Sequence, residues 1–356
     1  MRYGLPYKGS KNAIANWIVD NLPSSDTLCD IFFGGGAVTH AAMLRGKYDN
    51  FIINDIDGRM PRLFLDSIHG KYTLENHKEW ITREEFNAKK ETDGYIAIVW
   101  SFGNNGVDYI YGENQVKQKH ALHMAVFFND VSELASIGIN VKPSEITDIY
   151  ERYGYYKREI RKAYGRLEAQ HVEAMKNIEN MKMPRIELET AERLKTLEKM
   201  GDVQNVSRHV ALERLQALEG LQALRGLQAL RGLQESDGLQ AFEGDYEHVD
   251  IPAGSVIYCD PPYSNTNCGK YKGFDSERFH EWARKQDNIF ISEYQMPDDF
   301  ILVADIEKTV LADGYSVGRA KERLYTNQKT WDNLPADFKE RVSFNTAEQM
   351  DIFSFV

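Results

Sequence analysis

Thr27-Leu28-Cys29-Asp30-Ile31-Phe32 is a short apolar run that empties into Phe33-Gly34-Gly35-Gly36, after which Ala37-Val38-Thr39-His40-Ala41-Ala42-Met43-Leu44 takes up helix-like spacing. Strand, glycine turn and helix in that order open an α/β sheet. Glycines at such a turn let a ligand approach the backbone and leave helix N–H groups free. Downstream, Phe51-Ile52-Ile53 runs into Asn54-Asp55-Ile56-Asp57, a second strand that ends in acids. An acid at that position can accept both hydroxyls of a ribose. There is no second glycine spacing for a pyrophosphate and no Gly-Lys-Ser/Thr for a triphosphate, so a nucleoside-bearing cofactor without phosphates is expected. The three glycines alone are equally an ordinary tight turn.

Near the other end, Val256-Ile257-Tyr258-Cys259-Asp260-Pro261-Pro262-Tyr263 is a buried-looking strand that stops at an acid, two prolines and an aromatic. Prolines lack the N–H donor and fix φ, so the strand ends and the backbone stiffens there. A carboxylate and a ring are then held at the carboxyl edge of a sheet, where open α/β folds bind ligands. An acceptor beside a stacking surface suits a planar amine such as a base removed from its helix; a plain strand-ending turn would use the same residues. Before the first strand, Tyr7-Lys8-Gly9-Ser10-Lys11 is followed by Ile14, Trp17, Ile18 and Leu22 at helical spacing. Its lysine can neutralise a carboxylate and its tyrosine can flank a flat ring.

Taken in order, Tyr7–Lys11, Asp30–Gly36, Asn54–Asp57 and Asp260–Tyr263 resemble the motifs of the Dam-like DNA adenine methyltransferases, including their phage and prophage relatives. Trp100-Ser101-Phe102-Gly103-Asn104-Asn105-Gly106 is similar to that family's aromatic-Asn-Gly element, and Ile289–Tyr294 and Glu322–Thr326 to its later strands. The resemblance covers both ends of the chain and little of the middle. It departs from the family at Tyr7, where a Trp is common, and at Asp30-Ile31, where an acid-Pro pair is common.

The resemblance implies a Rossmann-like, S-adenosylmethionine-dependent methyltransferase sheet built from residues 1–60 and 249–356. A mainly helical target-recognition region, 61–248, would be inserted between them. It implies S-adenosylmethionine as cofactor, near Tyr7 and Lys11, cradled by Phe32, Gly34 and Gly36, with Asp55 on the ribose and Asp260 closing the site. Catalysis would fall to Asp260, Pro261, Pro262 and Tyr263. The exocyclic nitrogen of adenine is a poor nucleophile because its lone pair is drawn into the ring. Acceptance of its N–H bonds by Asp260 and the Pro261 carbonyl would push it towards a tetrahedral nitrogen able to attack the sulfonium methyl in line. This is positioning and electrostatics rather than covalent catalysis. Stacking on Tyr263 would offset part of the cost of unstacking the base, typically ~1–3 kcal/mol.

Three alternatives stay open at this point. Cytosine-N4 methylation uses similar geometry, but more often with Ser in place of Asp260; RNA or protein-amide methylation would use a related site; an inactive relative would only bind nucleic acid. Cys259 invites a nucleophile reading, yet strand alternation turns it away from Asp260 and favours a buried apolar role. Cys29, Cys259 and Cys268 show no paired spacing, and no His-Glu-x-x-His occurs, so no metal site is expected.

The composition is that of a globular chain: 356 residues, 42% hydrophobic, with a net charge of −11. No apolar stretch reaches the ~18–20 residues of a membrane span, and Met1-Arg2-Tyr3-Gly4 lacks the apolar core of a signal peptide, so a cytoplasmic protein is expected. The resemblance, with its long interposed recognition region, implies double-stranded DNA as the partner, and a monomer is expected. A cognate restriction endonuclease is left open as a partner. Only a docking face need be basic, and the tract Arg152–Arg166 supplies one, so Lys157, Arg158, Arg161 and Lys162 join Asn104 and Asn105 as candidate DNA contacts. Within a Leu-rich repeat segment, 209–242, Leu recurs at multiples of three from Leu212 to Leu239, with the hexad Gly-Leu-Gln-Ala-Leu-Arg repeated. A three-residue period smears around a helix and a glycine in each hexad weakens one, so stacked turns or a low-complexity insert are expected.

Overall fold

The computed structural model describes residues 3–163, 218–231, 233, 238–262, 273–312 and 316–342. Seven strands form one sheet in the order β3-β2-β1-β4-β5-β7-β6. They are β1 (Thr27–Asp30), β2 (Asn50–Asp55), β3 (Gly238–Glu243), β4 (Val256–Cys259), β5 (Ile289–Glu293), β6 (Phe300–Ala312) and β7 (Ser316–Asn327). The first five run parallel, and β7 lies antiparallel between β5 and β6. This is the α/β, Rossmann-like sheet expected from the sequence.

Side chains alternate across the sheet, so the two faces bury separate apolar sets. Leu28, Val256, Tyr258, Phe290 and Leu324 pack with helix α1 (Ala15–Asp20) and helix α2 (Ala37–Arg45). Cys29, Ile257, Cys259, Ile289 and Ile291 pack on the other face with Phe279 and Trp282 of the helix Ser276–Lys285. Cys259 therefore sits in the core, fully buried, where burial pushes its thiol well above the usual range. Its side chain packs in the apolar set on that face of the sheet.

Two elements differ from expectation. The sheet takes its outermost parallel strand, β3, from within the stretch 61–248 assigned to the insertion; β3 pairs with β2 from Gly238↔Asn50 to Glu243↔Asp55. As an edge strand it is only partly buried, so Leu239-Gln240-Ala241-Phe242 carries little of the hydrophobic signal that marks a central strand. The Leu-rich segment also contains a true α-helix, Glu219–Gln228, not stacked turns. Over ten residues a period of three drifts by only about 60° per step against the helical repeat. Leu221, Leu224 and Leu227 thus stay on one broad face, and all three are buried. Residues 209–217 of that segment lie outside the described residues.

Contacts divide the chain into two compact units. The first comprises residues 1–74, 83–108 and 223–356 and contains the sheet. The second comprises 75–82 and 109–222, and over its described residues it is helical: Val116–Phe128, Ser132–Ser136 and 149–163. Its interior holds Trp80 stacked on Tyr111 and Lys119, buried, paired with Glu219 at 3.1 Å. His120 pairs with Glu133 and His123 bonds the Lys78 carbonyl.

Candidate active site

Strand order reverses between β1 and β4, which are neighbours with Asp30 opposite Tyr258. Ligand crevices of open α/β sheets form at such a switch point, beyond the strands' carboxyl ends. The cleft found there is lined by Tyr7, Lys11, Asp30, Phe32, the loop 33–36, Asp55, Asp260, Pro261 and Pro262. Its cavity holds about 250 Å³, near the lower end of small-molecule sites.

Each wall has a local cause. Gly36 caps α2 in the left-handed region, φ 65°, and a Cβ there would lie 2.1 Å from the Phe33 ring. Only glycine turns the chain so tightly. A Cβ at Gly34 would lie 3.6 Å from the Tyr7 ring, so Tyr7 packs against the loop. The loop is tied to β2 by Asp55: its Oδ2 accepts the Gly34 N–H at 2.7 Å and its Oδ1 the Asp57 N–H at 2.8 Å. Phe32 is half-buried and rings with Tyr246, Phe274 and Phe279. On this side lies a second cavity, bounded by Ile31, Phe32, Asn54, Ile56, Asp245 and Tyr246. The Tyr246 hydroxyl is buried without a hydrogen-bond partner.

The charges are concentrated at the β4 edge. Lys11 is 7% exposed; its Nζ lies 3.0 Å from Asp260 Oδ1 and 3.4 Å from Glu322 Oε2. Burial opposes its charge, but the two carboxylates outweigh burial and raise its pKa above the lysine range. Glu293, at the end of β5, is pushed up to about 7 by burial. Asp30 is buried; its Oδ2 accepts the Thr39 hydroxyl at 2.7 Å while its Oδ1 has no partner in the protein. Burial pushes its pKa up to about 8.

A carboxyl that titrates higher folded than unfolded holds its proton more tightly in the native state. Stability therefore falls as pH rises from the ordinary Asp value of about 4 through about 8. Asp30→Asn keeps an acceptor for Thr39 and removes the buried charge. Its melting temperature is expected to exceed that of the parent at pH 8, with the difference shrinking towards pH 4. A constant difference across that range would refute the assignment.

The cleft thus brings together Tyr7, Lys11, Phe32, Gly34, Gly36, Asp55, Asp260, Pro261 and Pro262. Tyr263 lies outside the described residues. Asn104 adjoins the N-terminal loop, its carbonyl accepting the Lys8 N–H at 3.3 Å. The side chains of both asparagines serve the local turn: Asn104 Nδ2 donates to the Ile98 carbonyl, and Asn105 Oδ1 accepts the Val107 and Asp108 N–H groups. Phe102 beside them is exposed. Lys157, Arg158, Arg161 and Lys162 belong to the second unit, on a helix that buries Tyr156 and Ile160. Lys157 lies over the Tyr153 ring and Lys162 pairs with Glu159. Sequence reasoning missed Glu322 and Tyr246 as neighbours of the site.

A seven-stranded sheet of this order, with a glycine loop and an Asp-Pro-Pro at adjoining strand ends, is consistent with a Rossmann-like methyltransferase fold. Residues 7–127 match the D12 class N6 adenine-specific DNA methyltransferase family. Over that stretch the chain is similar to N6 adenine-specific DNA methyltransferases, which supports adenine methylation in DNA. No curated protein matches it. Among the described residues no helix is long and apolar enough to cross a membrane.

Proposed function

We propose that the chain transfers a methyl group from S-adenosylmethionine to N6 of an adenine turned out of double-stranded DNA, at one recurring target sequence. The observation that carries this reading is the Lys11–Asp260 pair at 3.0 Å in a cleft that also presents the glycine loop and Asp55. The cofactor fits the donor set. Asp55 offers a carboxylate for ribose hydroxyls, Phe32 and Tyr246 flank a cavity for a flat base, and Asp30 offers an unpaired carboxyl oxygen to a cationic amine.

When bound, S-adenosylmethionine supplies an electrophilic methyl on a positively charged sulfur. The protein's part is orientation. Pro261 and Pro262 fix the chain beyond β4, so the Asp260 carboxylate and the Pro261 carbonyl form two acceptors for one exocyclic amine. Lys11 holds the Asp260 carboxylate in an ion pair at the edge where the amine would dock. Tyr263 would stack on the base, and Asn104, Asn105 and the basic helix of the second unit are the proposed DNA contacts. Cytoplasmic location and action as a monomer complete the reading.

Single-molecule sequencing of DNA from a methylation-free host expressing the protein tests it. N6-methyladenine at one motif is the expected outcome. N4-methylcytosine, or an unmodified genome despite soluble protein, would overturn it.

A further inference from the structure

Glu322 has no place in the reading above, yet it is among the most deeply buried charged groups of the described chain, 1% exposed. Its position follows from strand direction. β7 runs antiparallel to β5, with Arg323 opposite Glu293 and Leu324 opposite Ser292. The residue before Arg323 therefore lies at the carboxyl edge of β5, beside the edge where β4 delivers Asp260. There Glu322 meets Lys11, whose ammonium it shares with Asp260.

Burying a further carboxylate is costly unless it is paired. One Lys–Asp pair would already balance its own charge, so stability alone does not call for an acid here. The sharing has a chemical consequence. An ammonium divided between two carboxylates neutralises each incompletely, so Asp260 keeps more negative charge than in a one-to-one pair. It remains a stronger acceptor for an amine. Two partners also fix an ammonium that a flexible four-carbon stem would otherwise leave free to swing.

We infer that Glu322 is a positioning residue for methyl transfer: through Lys11 it sets the orientation and charge of the Asp260 carboxylate that receives the target amine. The inference rests on the proposed role of Asp260. Among the described residues, charged and titratable groups acting on this lysine include Asp260 after β4, Glu293 and Tyr294 at the end of β5, and Glu322 on β7. Of these, Asp260 and Glu322 hold its pKa up.

Single-turnover methylation of duplex DNA by the full chain tests this, with wild type, Glu322→Gln, Glu322→Asp and Asp260→Ala compared. In Glu322→Gln the rate is expected to fall roughly 10- to 100-fold, the loss typical of a misplaced reacting group. The alkaline limb of its pH profile should move to lower pH, because Lys11 has lost one of the carboxylates that favour its charged form. Glu322→Asp should recover part of the rate and the parental limb. Wild-type rate and limb in Glu322→Gln would overturn the inference. If Glu322→Gln folds poorly by circular dichroism, the aspartate variant decides: a deep loss with no recovered limb marks a structural role and overturns it as well. An active Asp260→Ala would instead refute the reading of the site itself.

Discussion

Asp260→Ala loses methyl transfer by a factor on the order of 10³ or more, the scale seen when an oriented polar group at a reacting atom is removed. The loss should appear in the single-turnover rate rather than in cofactor affinity. The cleft's other ligand groups, Tyr7, Phe32, Asp55 and the glycine loop, are held by contacts that do not involve Asp260. Binding of S-adenosylhomocysteine, followed by calorimetry, is expected to stay within about tenfold of the parent, the equivalent of ~1.4 kcal/mol. The variant should also fold, because Lys11 keeps Glu322 as a partner and is not left as an isolated buried charge. Undiminished turnover in this variant would rule out the proposed chemistry. Equal loss of turnover and of cofactor binding would recast Asp260 as a cofactor ligand only.

Gly4→Ala is expected to be the most damaging single-methyl change at the site, although Gly4 carries no chemistry. Gly4 has φ 71°, and an added Cβ would lie 2.3 Å from the Gly35 carbonyl oxygen and 2.7 Å from the Ala37 nitrogen. These are backbone atoms, so no side chain can swing away to relieve the clash. Gly4 also donates its N–H to His40 Nδ1 at 2.8 Å, and Leu5 donates to the Gly35 carbonyl at 2.7 Å. Burial holds His40 down to about 4, neutral at physiological pH and so able to accept that bond. The left-handed strain alone costs about 1–3 kcal/mol, and overpacking adds a similar amount. The N-terminal segment would lift from the glycine loop and carry Tyr7 and Lys11 with it. A lowered melting temperature together with weakened cofactor binding is the expected pair of results. A parental melting temperature would show that the segment docks differently in solution.

How much of this was legible in the chain depends on the direction in which each strand runs. The parallel strands β1, β2 and β4 end at the functional edge, so their last residues and the turns beyond them read as site residues: Phe32, Gly34 and Gly36, Asp55, and Asp260 with its prolines. Their hydrophobic runs are uninterrupted because both faces are covered. β7 is antiparallel, so its contribution to the same edge, Glu322, lies midway along a strand and reads as an ordinary polar position. β3 was hidden for a different reason: it is an edge strand reached from a Leu-Gln repeat, where local pattern says little about register. The helix Glu219–Gln228 shows how tertiary burial overrides propensity, since its leucines are covered despite Gly220 and Gly226 within it. Among the candidate DNA contacts the lysines and arginines were placed by residue type and the asparagines by the resemblance; in the folded chain the asparagine side chains shape their own turn.

The adjacency of β1 and β4 has a consequence for how such a protein changes over generations. Asp30 and Tyr258 are register partners although most of the chain separates them. Part of the long excursion from β2 to β3, residues 75–82 and 109–222, belongs to the second compact unit. Closing such an excursion costs only about 0.6 kcal/mol more for each doubling of its length. On the proposed reading, in which the second unit contacts DNA, a lineage can therefore trade that part as a cassette and gain a new target sequence while keeping the methyl-transferring edge. Copying slippage within the hexad tract would lengthen or shorten the protein in units of six residues.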